Sequence, residues 1–452
     1  MTTPNPQVRL ADLLGALSHA LDLTEGQPKG HCVRCCWIGV QLGLRLKLWP
    51  EEISDLYYTI LLKDLGCSSN AARICQLYFA DDISFKRDFK QIDGSLPQAL
   101  RFVLGHTGLT TSLAERFRAI TNILKNGGAI SRELIEARCQ RGAEIAARMR
   151  FSQDVCDGIQ NLDEHWDGTG KPQGRKGNDI PLASQIALLA QVADVFYVTG
   201  GPRAALREVL HRAGTWFDPA LVAAFEHLQN SSDFWDTLKE TDLPSLVISL
   251  EPAKVKRYVD EDYLDDIATA FAQVIDAKSS FTRGHSERVA VFTDMIAEEM
   301  GFDQGHRRWL NRAALLHDIG KLAVSNAILD KPAKLTEAEF AVIKTHPIHS
   351  EAILAAVPVF ASIAAVAGGH HERLDGTGYP RGLAGDEINL ETRILTTADI
   401  FDALTAERPY RHAMTVSHAL SIMAGDVDKA IDGDCLMALR RALARAEGSA
   451  AA

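Results

Sequence analysis

One feature restricts this chain more than any other: the same ordered landmarks occur twice. His31 precedes Lys63-Asp64-Leu65-Gly66 at the same separation as His285 precedes His317-Asp318-Ile319-Gly320, and each first histidine follows a glycine. Asp167-Gly168-Thr169-Gly170-Lys171-Pro172 then echoes Asp375-Gly376-Thr377-Gly378-Tyr379-Pro380, and Val192-Ala193-Asp194-Val195-Phe196 echoes Thr397-Ala398-Asp399-Ile400-Phe401. Four landmarks in one order describe a tandem duplication. A chain of 452 residues is too long for one ordinary core, and the repeat supplies the division. Residues 1–250 hold the first copy and the linker; residues 251–452 hold the second. The first copy carries roughly 46 additional residues between its second and third landmarks, an insert within 67–135. The join falls in the polar stretch Asn230 to Asp260.

The periodicity is helical throughout. Leu264, Ile267, Ala268, Phe271, Val274 and Ile275 follow one helix face, and Thr336 to Glu339 reads as a capping box before His346. Alternating patterns are scarce, with Leu246 to Leu250 the best strand candidate. The expected fold is all-α: two tandem helical bundles, the first with the longer insert.

Charge narrows the partners. A net charge of -11 disfavours a long nucleic acid but allows a small anion in one locally cationic cleft. Met1 to Leu23 lacks the basic and apolar pattern of a signal peptide. The longest uncharged stretch, Ala352 to Gly369, is broken by Pro358 and reads as two core helices, so no membrane insertion is expected. Seven of eight cysteines lie in the first 160 residues. Cys32, Cys35 and Cys36 include a C-x-x-C spacing, but no second pair stands at a zinc-ribbon distance, and buried reduced thiols fit better. These points make the cytoplasm the expected compartment.

The polar residues of the second copy are unusual. His317-Asp318 ends the apolar run Ala313 to Leu316; His370-His371 is a second adjacent pair; Asp399 sits among apolar neighbours. On a helix, neighbouring side chains diverge by about 100°, so His317 and Asp318 can reach two adjacent ions, with Lys321 one turn after His317. His285 and His346 complete seven nitrogen and oxygen donors. A lone histidine on an apolar face is an ordinary hydrogen-bonded core residue. Seven such groups buried without partners would cost several kcal/mol each, whereas divalent ions satisfy them all. Mixed imidazole and carboxylate donors suit manganese or iron, and the lack of cysteine argues against structural zinc. Seven donors fit two sites sharing an aspartate. A two-metal centre polarises a phosphoryl group and lowers the pKa of a bridging water, giving hydroxide at neutral pH, so phosphoester hydrolysis leads on these residues alone.

At this point the second copy resembles a known family. His317-Asp318-Ile319-Gly320-Lys321, His370-His371-Glu372, Asp375 to Pro380, and Ala398 to Thr405 through Arg408-Pro409-Tyr410-Arg411 resemble the HD-GYP phosphodiesterases, a branch of the HD phosphohydrolases, over Phe281 to Met414. The resemblance implies a helical bundle that hydrolyses cyclic di-GMP, or in some members 3',3'-cyclic GMP-AMP, to the linear dinucleotide and in some cases onward to mononucleotides. It implies one metal on His285, His317, Asp318 and Asp399, with Asp318 bridging to a second on His346, His370 and His371. It implies catalytic roles for Asp318 and Lys321, and substrate contacts from Lys321, Tyr379, Asp402, Arg408 and Arg411. Two departures stand out. Phe281 occupies the position of a glutamate found in trinuclear members, which favours two metals. Ser350 replaces a usual glycine.

On the same correspondence the first copy retains His31, Asp64 and Asp194, but has Lys63 for His317, Cys67 for Lys321, Leu162-Asp163 for the histidine pair and Arg138 for His346. A lysine among the ligands repels a cation, so no dinuclear centre is expected there. Its role is structural support or, alternatively, sensing a ligand or protein partner; a homodimer is compatible with the sequence. Two competing functions remain for the whole chain: a phosphohydrolase for ordinary nucleotides, and a non-catalytic effector that binds a cyclic dinucleotide or a signalling protein partner.

Overall fold

The computed structural model describes residues 8–109, 111–279, 281–407 and 412–450. It divides into two compact units, Met1–Tyr263 and Leu264–Ala452, with the division inside the helix Glu261–Asp276. The first unit extends past residue 250 because Tyr258-Val259 pairs antiparallel with Val8-Arg9. The buried Glu251 carboxylate also accepts from Arg9 Nη2 at 2.8 Å and from the Tyr58 hydroxyl at 2.5 Å. The expected division after 250 therefore moves downstream. Those two strands are the only ones among the described residues. The expected strand Leu246 to Leu250 is instead the end of the helix Leu243–Ser249 and its C-cap Leu250, with Pro244 in the first turn and Leu243 and Val247 buried one turn apart.

In the second unit the helix His285–Glu299 is central, packed by Gln304–Leu316, Leu390–Thr405 and Gly433–Ala450. Its buried stripe includes Val289 and Ile296, facing a core of Leu310, Leu316, Leu354, Phe360, Ile394 and Phe401. Asp303 and Asn389 cap two of these helices through the amides of His306 and Thr392, at 2.9 and 2.8 Å. The uncharged stretch splits as read, into His346–Ala355 and Ala364–Gly369 on either side of Pro358.

The first unit repeats this bundle with His31–Arg45 in the central place, against Pro50–Leu61 and Leu182–His211. The insert forms the helices Ala71–Tyr78, Asp82–Phe89 and Leu96–His106 and the start of Leu113–Arg148. It encloses a cluster of its own, including Ile74, Phe85, Phe102, Ile123 and Leu134. Leu182–His211 is long and apolar enough by composition to cross a membrane, but 61% of its apolar window is buried, and it kinks at Gly201-Pro202. It is a core helix. Cys32, Cys35 and Cys36 are fully buried, and no disulfide joins any of the eight cysteines.

Candidate metal centre

Each donor reaches the centre from the end of an element. Gly284, at φ 68°, turns the chain so that His285 opens its helix, as Gly30, at φ 87°, does for His31. His317 closes the helix Gln304–Leu316, and Asp318 precedes the 3-10 turn Ile319–Ala323. The dyad thus lies at a helix end, not on a continuing helix, and Lys321 faces Asp318 rather than His317, with Nζ 2.5 Å from Oδ2. His346 begins one helix and His370 ends another.

The seven donors converge. His346, His370 and His371 form one group with ligand atoms within 4.8 Å of one another, and His285, His317 and Asp399 form a second. Asp318 stands between them. Its Oδ2 lies 3.4 Å from His285 Nε2 and 3.3 Å from His317 Nε2, while Oδ1 lies 3.3 Å from His346 Nε2 and 3.6 Å from His370 Nε2.

The outer nitrogens explain this orientation. His317, His346 and His370 each donate Nδ1–H to the carbonyl three residues back, of Ala314, Ile343 and Ala367, at 2.7, 2.7 and 2.6 Å. That fixes the tautomer and turns Nε2 inward. His285 Nδ1 is held by Asp402 Oδ2 at 2.7 Å, and Arg288 Nε grips the other carboxylate oxygen at 2.5 Å. Asp402 was expected to contact substrate. It is 1% exposed with both oxygens engaged, so it positions His285 instead.

Electrostatics suit a cation. Burial alone would raise Asp318, but His317 and Lys321 outweigh it and hold the carboxyl well below the usual range; Asp399 is lowered against the same burial, chiefly by His285. Burial pushes His371 down to about 3, and His346 and His370 downward as well. Buried His285 Nε2, His317 Nε2 and Asp318 Oδ1 have no hydrogen-bond partner among the described residues. Neutral imidazoles, ionised carboxylates and orphaned inward atoms are what divalent ions require.

His285 differs. Burial lowers it, but the neighbouring carboxylates of Asp318, Asp402 and Asp399 prevail and raise it to about 9. In metal-free protein its charge stabilises the fold fully below the unfolded value of about 6.5, and that contribution fades as pH rises through about 9. Relative to His285→Ala, the chelated parent therefore loses melting temperature between those pH values. A parent that instead gains on the variant across this window contradicts the assignment.

A cleft of about 170 Å³ opens on the centre, lined by Asp318, Lys321, His346, His371, Phe281 and Ile343 among others. Beside it, Gly378 packs so closely that a Cβ would meet Arg373 N at 2.4 Å and Glu372 Cα at 2.6 Å. Buried Glu372 accepts the amides of Arg381 and Leu383 at 2.7 and 2.9 Å, which shapes the loop and sets the Tyr379 ring 4.8 Å from that of His371. Ser350 uses its departure from glycine: its Oγ accepts the Gly320 amide at 2.9 Å. Arg408 and Arg411 lie outside the described residues.

The first unit keeps the scaffold but exchanges most of the donors. Glu164 cradles its loop as Glu372 does, through the amides of Gln173, Gly174 and Arg175. Asp194, however, binds His31 Nδ1 at 2.7 Å and Arg34 Nε at 2.6 Å, the part Asp402 plays with His285 and Arg288. Asp194 therefore corresponds to Asp402, and Gln191 falls at the place of Asp399. The sequence match of the fourth landmark is one helical turn out of register, because Ala193-Asp194 is identical to Ala398-Asp399 whereas Asp402 follows Phe401. Lys63 contacts Asp64 and lies 3.1 Å from His31 Nε2, Lys90 of the insert reaches Glu25 at 2.8 Å, and Arg138 pairs with Asp163. Burial and Lys63 push His31 down to about 4. Two donor groups do assemble there, His31/Cys35/Asp194 and Glu25/Asp64/Cys67. Arg34, Lys63 and Lys90 already serve their carboxylates, and burial holds both thiols protonated.

A helical bundle that gathers imidazoles around a shared aspartate in this way has the architecture of an HD-type metallohydrolase. The family model described as "HD domain" matches residues 118–221 and 269–435. The 3'3'-cGAMP-specific phosphodiesterase 3 of Vibrio cholerae is 54% identical over 434 residues, covering 96% of this chain and 94% of that protein. The cyclic di-GMP phosphodiesterase response regulator RpfG of Xanthomonas campestris is 40% identical over 178 residues, 39% of this chain and 47% of that protein. A crystal structure of a cyclic GMP-AMP specific phosphodiesterase of V. cholerae (V-cGAP3) aligns with a TM-score of 0.66 at 48% identity, covering 97% of this chain and 98% of that one. The chain belongs to the HD-domain family, in its HD-GYP branch.

Proposed function

We propose that the second unit is a metal-dependent phosphodiesterase that opens a cyclic dinucleotide, with 3',3'-cyclic GMP-AMP preferred over cyclic di-GMP. The observation that carries this reading is the convergence of six donors on the two sides of a seventh, Asp318, at an open cleft. The preference for the hybrid nucleotide rests on the near full-length similarity to a relative named for it.

His285, His317 and Asp399 would hold one ion, His346, His370 and His371 the other, and Asp318 both; manganese or iron fits the donors. Bound there, two ions would supply charge for the phosphate and lower the pKa of a water. The chain's own part is positional. Carbonyls and Asp402 hold the imidazoles, and Lys321, which lines the cleft beside Asp318, would meet an oxygen of the scissile phosphate. The first unit serves as a metal-free companion fold. Eight free cysteines accord with a reducing compartment, the cytoplasm. Purified full-length protein loaded with manganese or iron should cleave cyclic GMP-AMP with a kcat/KM about tenfold above that for cyclic di-GMP, a difference of about 1.4 kcal/mol. Chromatography of timed digests reads both. Failure to cleave either would overturn the activity; a preference for cyclic di-GMP would overturn the specificity.

A further inference from the structure

A cyclic dinucleotide carries two purines and two phosphates, and the centre with Lys321 addresses only one phosphate. The other asks for a second cation, and the bases ask for flat apolar faces. Both occur beside the cleft, on a segment whose helix Glu337–Ile343 the sequence marked only by its capping box. The Phe340 ring lies 6.2 Å from that of Tyr379, which itself rests against His371. Lys344 Nζ stands over both rings, 4.8 Å from the Phe340 centroid and 5.4 Å from that of Tyr379. Ile343, the residue before it, lines the cleft with Lys321, His346 and His371. Phe340 is 44% exposed, a large apolar face left toward solvent. No carboxylate lies within ion-pair distance of Lys344 among the described residues.

A lysine laid over aromatic rings is commonly surface decoration. The first unit argues otherwise, because it shows what the bundle keeps when it has no metal centre. Gly66 packs against Arg138 O and Gly142 N as Gly320 does against His346 O and Ser350 N, which fixes the register between the two copies. In that register Arg132 stands for Phe340, Glu136 for Lys344 and Lys171 for Tyr379. The copy that lost most of its donors has also exchanged both aromatics for cations and the cation for an acid, and it folds without them. The wall accompanies the metal centre, not the fold.

We propose that Phe340 and Lys344 are substrate-recognition residues, the ring face taking a purine and the ammonium taking the phosphate that is not cleaved. This rests on the reading of the second unit as a cyclic dinucleotide phosphodiesterase. The test uses metal-loaded full-length protein, with calorimetric Kd for a phosphorothioate analogue of cyclic GMP-AMP and steady-state kinetics on cyclic GMP-AMP. Phe340→Ala and Lys344→Ala should each raise Kd and KM about tenfold, with kcat within about threefold of the parent. Lys344→Glu, the charge of the first copy, should weaken binding most, while Phe340→Trp and Lys344→Arg should restore it. Metal content should match the parent throughout. Parental Kd and KM in the alanine variants would overturn the proposal, as would loss of metal from them, which would place the defect in the centre. A parent that binds the analogue but leaves cyclic GMP-AMP intact would sink the hydrolytic reading instead, and the variants' Kd would still decide the wall.

Discussion

Asp318→Ala is expected to lower turnover of the cyclic dinucleotide on the order of a thousandfold or more while the chain remains folded. Asp318 faces both groups through its two oxygens. Its Oδ2 is 3.3 Å from His317 Nε2 and its Oδ1 is 3.3 Å from His346 Nε2, so one truncation removes a ligand from each side. What remains is five imidazoles and Lys321 around one carboxylate, Asp399. The surroundings are packed through Leu316, Ile319 and Leu322, all fully buried, and these do not depend on the carboxylate. The effect should be graded outward. Asp402→Ala, which frees His285 Nδ1 but removes no donor from the centre, should cost about 10–100-fold. Chromatographic product counts with circular-dichroism melts separate lost chemistry from lost fold. Near-parental turnover by Asp318→Ala would contradict the site.

Gly320→Ala should destabilise the second unit by about 3 kcal/mol and remove activity with it. A Cβ there would lie 2.0 Å from His346 O and 2.7 Å from Ser350 N. Both are backbone atoms, and His346 is itself a donor, so relief requires moving the helix His346–Ala355 away from the 3-10 turn. Overpacking of this kind typically costs 1–3 kcal/mol and more where backbone must shift. Gly66→Ala should destabilise the first unit similarly, since its Cβ would meet Arg138 O, yet without touching the metal donors. Denaturant melts give the stability and metal analysis gives the site. A Gly320→Ala protein with parental midpoint and metal content would show that the turn and helix are looser than this packing implies.

The sequence shows the duplication, the helical class and the donors, because each rests on residue types whose chemistry is hard to mistake. Buried His-Asp and His-His pairs have few uses besides ligation, and a glycine before each first histidine reports a left-handed turn. Register was harder to read. Asp194 sits in an Ala-Asp-Val-Phe string so like that around Asp399 that only its bonds to His31 and Arg34 reveal it as the counterpart of Asp402. For the same reason Asp402 looked like a ligand contact: a carboxylate one turn from a metal donor faces substrate or holds a histidine, and only the direction of His285 decides. Phe340 and Lys344 gave no sequence signal, since an aromatic and a lysine on a short helix are ordinary surface residues until a metal ligand is found beside them. The two strands are two residues long and join segments far apart in the chain, beyond the reach of local periodicity.

Crystals of the full-length chain grown with manganese, measured at the manganese edge, test the central claim most directly. Two anomalous peaks in the second unit are predicted, one among His285, His317 and Asp399, the other among His346, His370 and His371, with Asp318 touching both and nothing in the first unit. A single peak away from Asp318, or peaks beside Lys63 and Asp64, would contradict it.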